Sequence, residues 1–294
     1  MTDICCIGHI TLDKIITPDR QFELNGGTSF YFAHGINQLK PAVNFKLVTA
    51  LGESEMSAVE AMRQKGIDVE VLPSRKTVIF ENKYEANMNN RKQRVLAKAD
   101  PFTVESLQHV QARYIHLGSL LDDDFSLDVI KSLHGRGVLS VDAQGFLRYV
   151  DGVHVYPCQW KQKLDAMPYI DILKVNEHEI ESFTGYKDVK QAGKQLAEWG
   201  VKEVLMTLGS YGSVIYHEGE FTEIDAYMPK ELVDATGCGD TYATGYLYMR
   251  AQGASIREAG KFAAAMSTLK LEHSGPFDGT VEDIHTVIKN NILR

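Results

Sequence analysis

Short apolar runs alternate along this chain with segments of helical periodicity, and this alternation restricts the fold more than any other feature. The strand-like runs are Ile4–Gly8, Phe45–Ala50, Tyr114–Leu117, Val138–Asp142, Ile170–Lys174 and Val204–Leu208. The helical patterns are Ser54–Lys65, Phe125–His134, Glu177–Thr184 and Val189–Trp199, and the chain after Gly237 is almost all helical, with Ser255 as a predicted N-cap. Strands that are apolar throughout are typical of parallel sheets covered on both faces. The pattern therefore predicts an α/β fold in which a mostly parallel sheet lies between helices.

Two segments depart from this alternation. Residues 11–25 and 76–99 contain short β-like stretches, among them Tyr84-Glu85-Ala86, and each stretch has one polar face. We expect them to form a small β lid on a single domain that spans residues 1–294. Such a lid would exclude water from a site beneath it.

The charge and the cysteines exclude several classes of protein. The 294 residues include 31 Lys and Arg against 39 Asp and Glu, a formal charge of −8, so neither nucleic acid nor a membrane is an expected partner. No apolar run approaches the roughly 18 residues of a membrane span, and the N-terminus lacks the basic region of a signal peptide. Because no pair of cysteines has zinc-site spacing, we expect four reduced thiols in a cytoplasmic protein: Cys5, Cys6, Cys158 and Cys238.

The most specific motif is the string DATGCGDTY at residues 234–242. Gly237 and Gly239 allow a tight turn and a close approach to a ligand, and a helix follows. The unbonded amides of a first helical turn, together with the helix dipole, form an anion hole. We assign this hole to Gly237, Cys238 and Gly239. Asp240 lies beside it and can accept a proton from an attacking hydroxyl.

This string resembles the C-terminal signature D-T-x-G-A-G-D of the ribokinase-like (PfkB-type) carbohydrate kinases. Ala235 stands where the family often has Thr, and Cys238 where it usually has Ala. The resemblance extends from about Ile4 to Pro276. It implies a ribokinase-like three-layer α/β/α sandwich with a small β lid, and it implies that Asp240 is the catalytic base.

The string KVNEHE at residues 174–179 resembles the family motif N-x-x-E, which organises magnesium and phosphate contacts. The resemblance assigns Asn176 to nucleotide and metal binding, and Glu179 to Mg²⁺ binding through water. The spacing i, i+3 places both side chains on one face of the first helical turn. His178 has no second histidine at metal-ligand spacing, and we expect it to be an exposed helix residue.

Two strings resemble the acceptor-binding part of the family. NGGTSFYFA at residues 25–33 has the Gly-Gly pair, Gly26 and Gly27, that lets a sugar lie close to the main chain. Tyr31 stands where a common family pattern has Asn. GHITLD at residues 8–13 ends in Asp13, which in the family binds substrate hydroxyls. A carboxylate can accept two hydroxyl hydrogen bonds at once, which suits a polyol.

Two further strings contain candidate residues for binding the phosphate donor and for substrate specificity. MTLGSYGS at residues 206–213 resembles the nucleotide-binding T-x-G-x-x-G, with Thr207, Gly209 and Gly212, although such a string is also typical of a strand-to-hairpin turn. VDAQGFLR at residues 141–148 resembles the inositol-kinase-like branch. It makes Gln144 and Arg148 candidate substrate residues, and Arg148 is suited either to holding a phosphate or to pairing with a neighbouring acid.

The sequence therefore predicts an ATP- and Mg²⁺-dependent kinase that acts on a sugar or cyclitol. The P-loop, protein-kinase and dinucleotide-binding signatures do not occur in the sequence. Family members often use a monovalent cation, and carbonyls around Asp234 and Ser274-Gly275 are candidates to hold K⁺. A monomer, or a homodimer formed through the lid, is expected. Two alternatives are a nucleoside kinase, with Phe30 and Tyr31 stacking on a base, and a non-catalytic sensor.

Overall fold

The apolar runs form the centre of a large sheet. The computed structural model describes residues 2–40, 42–84 and 91–290. Its strands are β1 (Ile4–Ile7), β2 (Thr11–Ile16), β3 (Gln21–Gly26), β4 (Phe45–Leu51), β5 (Val69–Pro73), β6 (Val78–Tyr84), β7 (Arg91–Ala97), β8 (Tyr114–Leu117), β9 (Val138–Asp142), β10 (Arg148–Asp151), β11 (His154–Pro157), β12 (Ile172–Asn176), β13 (Glu203–Thr207), β14 (Ser213–His217) and β15 (Glu220–Ile224). Its helices are α1 (Thr28–Gln38), α2 (Met56–Gln64), α3 (Leu127–Leu133), α4 (Lys163–Ala166), α5 (Glu177–Thr184), α6 (Val189–Glu198), α7 (Cys238–Ala251), α8 (Ile256–Leu271) and α9 (Val281–Asn290).

Nine of the described strands form the large sheet, in the order β15-β14-β13-β12-β9-β8-β1-β4-β5. The pairs from β13 to β5 are parallel, whereas β14 and β15 are antiparallel additions at one edge. The carboxyl ends of β1, β9, β12 and β13 therefore meet at one edge of the sheet, where ligands bind in open α/β folds. The predicted mostly parallel sheet is confirmed.

Helices cover both faces of this sheet. Successive residues of β1 point to opposite sides, so Ile4 and Cys6 join the core beneath α1, α2, α7, α8 and α9, whereas Cys5 and Ile7 join the core beneath α3, α4, α5 and α6. This arrangement is the expected three-layer sandwich. No helix in the described part of the chain is long and apolar enough to cross a membrane.

Several element boundaries are as predicted, and others shift for local reasons. The predictions for β8, β9 and α5 match to the residue, and Ser255 caps α8 in a capping box with Glu258. The strand predicted from Ile170 begins at Ile172 because Met167–Tyr169 forms a 3₁₀ turn just before it. Helix α2 begins late because Glu53–Glu55 forms another 3₁₀ turn.

A second, six-stranded sheet is built from the described segments that interrupt the alternation, in the order β10-β11-β7-β6-β2-β3. Strands β10 and β11 were not predicted, because each has only four residues, with polar ones among them and, unlike β8, no buried one, which leaves no apolar run to recognise. Glu85 and Ala86 of the stretch predicted at 84–86 lie outside the described residues. This sheet holds three of the predicted site residues: Asp13 on β2, Gly26 on β3 and Arg148 on β10.

Candidate active site

The turn into helix α7 needs glycine at its first position. Gly237 is the N-cap of α7 and has a φ of 77°, a left-handed conformation that side chains rarely adopt. A Cβ atom at this position would lie 2.3 Å from Cδ1 of Tyr31, so the ring of Tyr31 packs directly on the turn. Two motifs that lie more than 200 residues apart in the chain, the Gly-Gly string and the DATGCGDTY string, thus meet here.

The amides of this turn differ in what they can offer an anion. The Cys238 amide already donates to the carbonyl oxygen of Ala235, at 3.2 Å. The amides of Gly239 and Asp240 lie in the first turn of α7, where no carbonyl four residues earlier belongs to the helix. The anion hole over Gly237, Cys238 and Gly239 remains a prediction, and the amides of Gly239 and Asp240 are better suited to an anion there than the amide of Cys238.

Asp240 is partly exposed to solvent, but protein atoms surround its carboxyl closely enough to desolvate it. Burial raises the pKa of its carboxyl to about 7, and the charge of Asp142 acts in the same direction. The charges of Lys174 and Arg148 and a hydrogen bond with Thr28 act against this rise in pKa. A carboxyl with this pKa can accept and release a proton near neutral pH, which is what a general base requires.

A buried ion pair lies under the site, and sequence reasoning missed it. Nζ of Lys174 is 2.7 Å from Oδ2 of Asp142, and the two side chains are 6% and 3% exposed. The same Nζ lies 3.1 Å from the position that a Cβ atom of Gly239 would take, so its charge reaches the anion hole. Lysine is seldom buried without a partner, and a lysine inside the apolar strand β12 was the signal available in the sequence.

The ion pair keeps both groups charged. Burial acts to lower the pKa of Lys174, but Asp142, Glu179 and Asp240 outweigh it and hold this pKa above its ordinary value. Burial likewise acts to raise the pKa of Asp142, and the charge and hydrogen bond of Lys174 reverse this effect. The site therefore has a permanent positive charge next to the amides of α7.

The predicted acceptor residues lie together on the smaller sheet and at the start of α1. Asp13 faces Gly26, where a Cβ atom would lie 2.7 Å from the Asp13 carboxylate, and the Thr11 hydroxyl donates to Asp13 at 2.7 Å. Gly27 has a φ of 95° and is the N-cap of α1. Burial raises the pKa of the Tyr31 phenol, and the charges of Asp234, Asp13 and Asp240 raise this pKa further. Acceptor-side and catalytic carboxylates thus share one neighbourhood.

Gln144 and Arg148 enter the same neighbourhood from another side. The backbone amide of Gln144 donates to Oδ1 of Asp142 at 3.0 Å, so the segment 141–148 is bonded to the buried ion pair. The positive charge of Arg148 acts to lower the pKa of both Asp240 and Glu179, so the guanidinium lies close to both. Both alternatives considered for Arg148, phosphate binding and pairing with an acid, are compatible with this position.

Asn176 and Glu179 form a reciprocal capping box at the start of α5. Oδ1 of Asn176 accepts from the amides of His178 and Glu179, while the Glu179 carboxylate accepts from the Asn176 amide at 2.9 Å and from its Nδ2 at 2.7 Å. Burial and the charge of Asp142 raise the pKa of Glu179. Both Glu179 oxygens have protein donors, so the carboxylate fits a contact to magnesium through water better than direct ligation.

The described residues contain no group of three or more His, Cys, Asp or Glu side chains placed to hold a metal ion. Mg²⁺ commonly binds through substrate phosphates and water with only one or two carboxylates, and Glu179 supplies such a carboxylate. The donor set therefore fits a magnesium ion that arrives with the phosphates. Bound there, it would neutralise phosphate charge.

We expect Glu179→Gln to raise the Mg²⁺ concentration needed for half-maximal activity and to lower kcat. The one acceptor oxygen of glutamine keeps the capping-box bond from the Asn176 backbone amide but not the second bond from Asn176 Nδ2, so the melting temperature falls only slightly, while the charge that orients metal-bound water is lost. His178→Ala is the matched control, because the His178 side chain is 89% exposed on the same turn. Magnesium titrations of both variants provide the measurement. A critical His178 and a silent Glu179 would show that the motif is wrongly assigned.

The predicted donor residues lie on and after β13. Thr207 pairs in register with Asn176 at the carboxyl edge of the sheet, and Gly209 lies beside the Glu177 carboxylate. Gly212 has a local reason to be glycine, because a Cβ atom there would lie 2.0 Å from the carbonyl oxygen of Ile224. The segment joins two antiparallel strands, as the hairpin alternative predicts. A nucleotide contact here remains a prediction.

Comparisons with known proteins agree with this geometry. A cytidine kinase from Thermococcus kodakarensis is 26% identical over 96% of this chain and 100% of its own length. Among solved structures, a pyrophosphate-dependent kinase in the ribokinase family, complexed with a pyrophosphate analogue and myo-inositol, has a TM-score of 0.85 and 29% identity, with 97% of this chain and 100% of that chain covered. Ribokinase from Arabidopsis thaliana, complexed with ribose and ATP, has the same fold, with a TM-score of 0.80, 20% identity, and 98% and 99% of the two chains covered.

The family model described as pfkB family carbohydrate kinase matches residues 1–283, nearly the whole chain. This match confirms the family and the kinase activity that the motifs predict. It agrees with the mostly parallel sheet between helices. The chain therefore belongs to the pfkB family of carbohydrate kinases, enzymes that transfer a phosphoryl group to a hydroxyl group of their substrate.

Proposed function

We propose that this protein transfers the terminal phosphoryl group of ATP to a ring hydroxyl of a cyclitol or related sugar. The observation that carries the proposal is the position of Asp240. Its carboxyl has a pKa of about 7 and belongs to the first turn of α7, and its charge, like that of Asp13, raises the pKa of Tyr31.

The reaction needs one proton transfer and one phosphoryl transfer. The acceptor hydroxyl oxygen forms a bond to the terminal phosphorus, the bond from phosphorus to the bridging oxygen of the donor breaks, and Asp240 takes the hydroxyl proton. Such transition states are loose, so positioning and charge neutralisation contribute most of the rate. The amides of Gly239 and Asp240 and the ammonium of Lys174 are placed to neutralise the transferred group.

The smaller sheet is suited to act as a lid over this reaction. Three acceptor-side residues, Asp13, Gly26 and Arg148, lie on its strands, and none of the three is on the large sheet. A movement of this sheet towards α7 would bring substrate contacts and water exclusion together. This proposal rests on the placement of these residues.

The aromatic residues at the start of α1 favour a cyclitol over a nucleoside. Tyr31 packs on Gly237, and Phe30 packs on His34 with ring centroids 4.4 Å apart. Both rings therefore already have protein partners, which leaves less of their faces for a nucleobase. The 29% identical structure that contains myo-inositol supports the same choice, whereas the cytidine kinase relative supports a nucleoside.

We expect myo-inositol or a related cyclitol to have a higher kcat/KM than ribose, fructose or cytidine. Asp13→Ala should raise the KM of this acceptor by about 10–100-fold, the effect of losing hydrogen bonds to a charged group, with little change for the donor. Asp19→Ala, at an exposed position of the β2–β3 connection, is the control. Coupled assays of product formation provide the measurement. A clear preference for cytidine would replace the cyclitol by a nucleoside, and the absence of turnover with every acceptor would favour the sensor alternative.

The donor has one rival, pyrophosphate, because the 29% identical structural neighbour is pyrophosphate-dependent. The segment before α7 favours ATP. Leu232 and Val233 are 71% and 47% exposed, and the Val233 amide donates to the carbonyl of Leu271, which places this apolar surface against the end of α8. A nucleobase gains free energy by covering such a surface, whereas pyrophosphate has no apolar part.

We expect Leu232→Ser to raise the KM for ATP about threefold to tenfold, the effect of removing roughly 1 kcal/mol of apolar contact. The KM for the acceptor should not change. Leu164→Ser is the matched control, since Leu164 is 57% exposed on α4. Steady-state assays with ATP and with pyrophosphate measure both effects. Faster turnover with pyrophosphate, unaffected by Leu232→Ser, would show that pyrophosphate is the donor.

A further inference from the structure

A buried lysine lies behind the turn that begins α7. The side chain of Lys270, in the last turn of α8, has no solvent exposure. Its Nζ donates to the carbonyl oxygen of Asp234 at 2.9 Å and to the carbonyl oxygen of His273 at 3.1 Å, and it lies 3.6 Å from the Asp234 carboxylate. A buried ammonium is costly unless it is fully partnered, and these oxygens supply its partners.

These oxygens are of the kind that would otherwise hold a monovalent cation. Protein sites for K⁺ replace the hydration shell with backbone carbonyl oxygens. The family resemblance predicts K⁺ near Asp234 and Ser274-Gly275, but the Asp234 carbonyl already accepts from Lys270. A second cation at this place would lose that oxygen and be repelled by the ammonium. The residues present therefore do not fit a bound K⁺.

The ammonium is close enough to support the anion hole. Asp234 lies three residues before Gly237, and its Oδ1 accepts from the Thr236 amide at 2.9 Å, so the residue held by Lys270 also shapes the turn. The charge of Lys270 also acts on Cys238, the first residue of α7. A positive charge fixed on this side of the turn favours the negative charge of a transferred phosphoryl group.

We infer that the Lys270 ammonium takes the place of a bound monovalent cation, so that this protein works without K⁺. The inference rests on the proposed phosphoryl transfer for its catalytic consequence, while the cation site itself can be tested without turnover. Lys270 acts through the Asp234 turn and is therefore a positioning residue.

The first experiment compares the wild-type protein in KCl and in tetramethylammonium chloride at equal ionic strength. We expect the same melting temperature and the same kcat in both salts. A ligand that binds only the folded protein raises the melting temperature with concentration, so binding of K⁺ would be visible without any substrate. A saturable rise of either quantity with K⁺ would overturn the inference. If the wild-type protein is inactive with every acceptor and donor, the proposed function fails, and the melting temperatures still decide the question of the cation.

The second experiment removes the Lys270 ammonium from the place where a cation would bind. Lys270→Ala leaves room for an ion, whereas Lys270→Met fills the space without a charge. In tetramethylammonium chloride we expect both to lose kcat by about tenfold, which is less than the roughly 10²–10³-fold for a donor in direct contact with the transition state, because Lys270 acts through the turn. For Lys270→Ala alone, K⁺ or NH₄⁺ should restore part of the kcat and raise the melting temperature.

Lys261→Ala is the control for the second experiment. Lys261 is exposed on the same helix, so this variant should behave like the wild type. Full activity of Lys270→Ala without K⁺, or equal rescue of both variants, would contradict the inference. If neither variant folds, the wild-type comparison decides.

Discussion

Asp240→Asn is expected to lower kcat by about 10²–10⁴-fold, the range for the loss of a general base. Asparagine keeps the shape of the side chain but cannot accept the hydroxyl proton. The affinity for ATP should change little, because the amides of Gly239 and Asp240 remain in place. Single-turnover and steady-state kinetics with the best acceptor provide the measurement. A variant with near-normal turnover would exclude Asp240 as the base.

The pKa of Asp240 also predicts how activity and stability depend on pH. The base must be ionised, so kcat/KM should rise with pH through about 7 and then level off, and this rise should be absent from Asp240→Asn. Because burial, the largest cause, raises the folded-state pKa of this acid, the native state binds more protons than the unfolded state between the two pKa values. Stability therefore falls as pH increases through that window. Asp240→Asn escapes this loss, so its stability relative to the wild type should be greater at pH 8 than at pH 5, measured by urea unfolding.

Lys174→Met is expected to reduce the free energy of unfolding by about 3–5 kcal/mol, the cost of leaving one member of a buried ion pair without its partner. The residue left behind is Asp142, whose side chain is 3% exposed. Activity should also fall, because the charge beside Gly239 is lost. Urea unfolding at pH 7 measures the stability, and a loss below about 1 kcal/mol would show that the pair is not the strong buried contact described here.

The double variant Asp142→Asn/Lys174→Met separates the pair from its surroundings. It should recover part of the stability lost in Lys174→Met, since no uncompensated charge remains.

The dependence of stability on pH is a second check of the ion pair. In the wild type the pKa of Asp142 is lowered, since Lys174 outweighs the effect of burial, so the stabilisation is present above the unfolded-state pKa and is lost as pH falls through the folded-state pKa. Without Lys174, the effect of burial on the pKa of Asp142 is opposed only by the smaller effects of the Gln144 amide and His116, so mild acid should stabilise the single variant.

Much of the architecture followed from local patterns in the sequence. Apolar runs such as Tyr114–Leu117 and Val138–Asp142 predicted strands of the central sheet at the observed residues. Gly237 and Gly239 predicted that a helix follows them, because a helix N-terminus and a positive φ depend on a few adjacent residues. The family resemblance then singled out Asp240 as the predicted base, which the Asp240→Asn variant tests. These features are local, so their signal lies within a short stretch of chain.

Only the tertiary structure decided which distant side chains become partners. Lys174 and Asp142 are 32 residues apart and meet because β12 and β9 are neighbours in the sheet. Lys270 reaches Asp234 because α8 ends against the segment that leads into α7. A lysine in an apolar stretch indicates a buried charge, but its partner depends on strand order and helix packing. These contacts neutralise the buried lysines, and the burial that raises the pKa of Asp240 likewise arises only when the whole chain has folded.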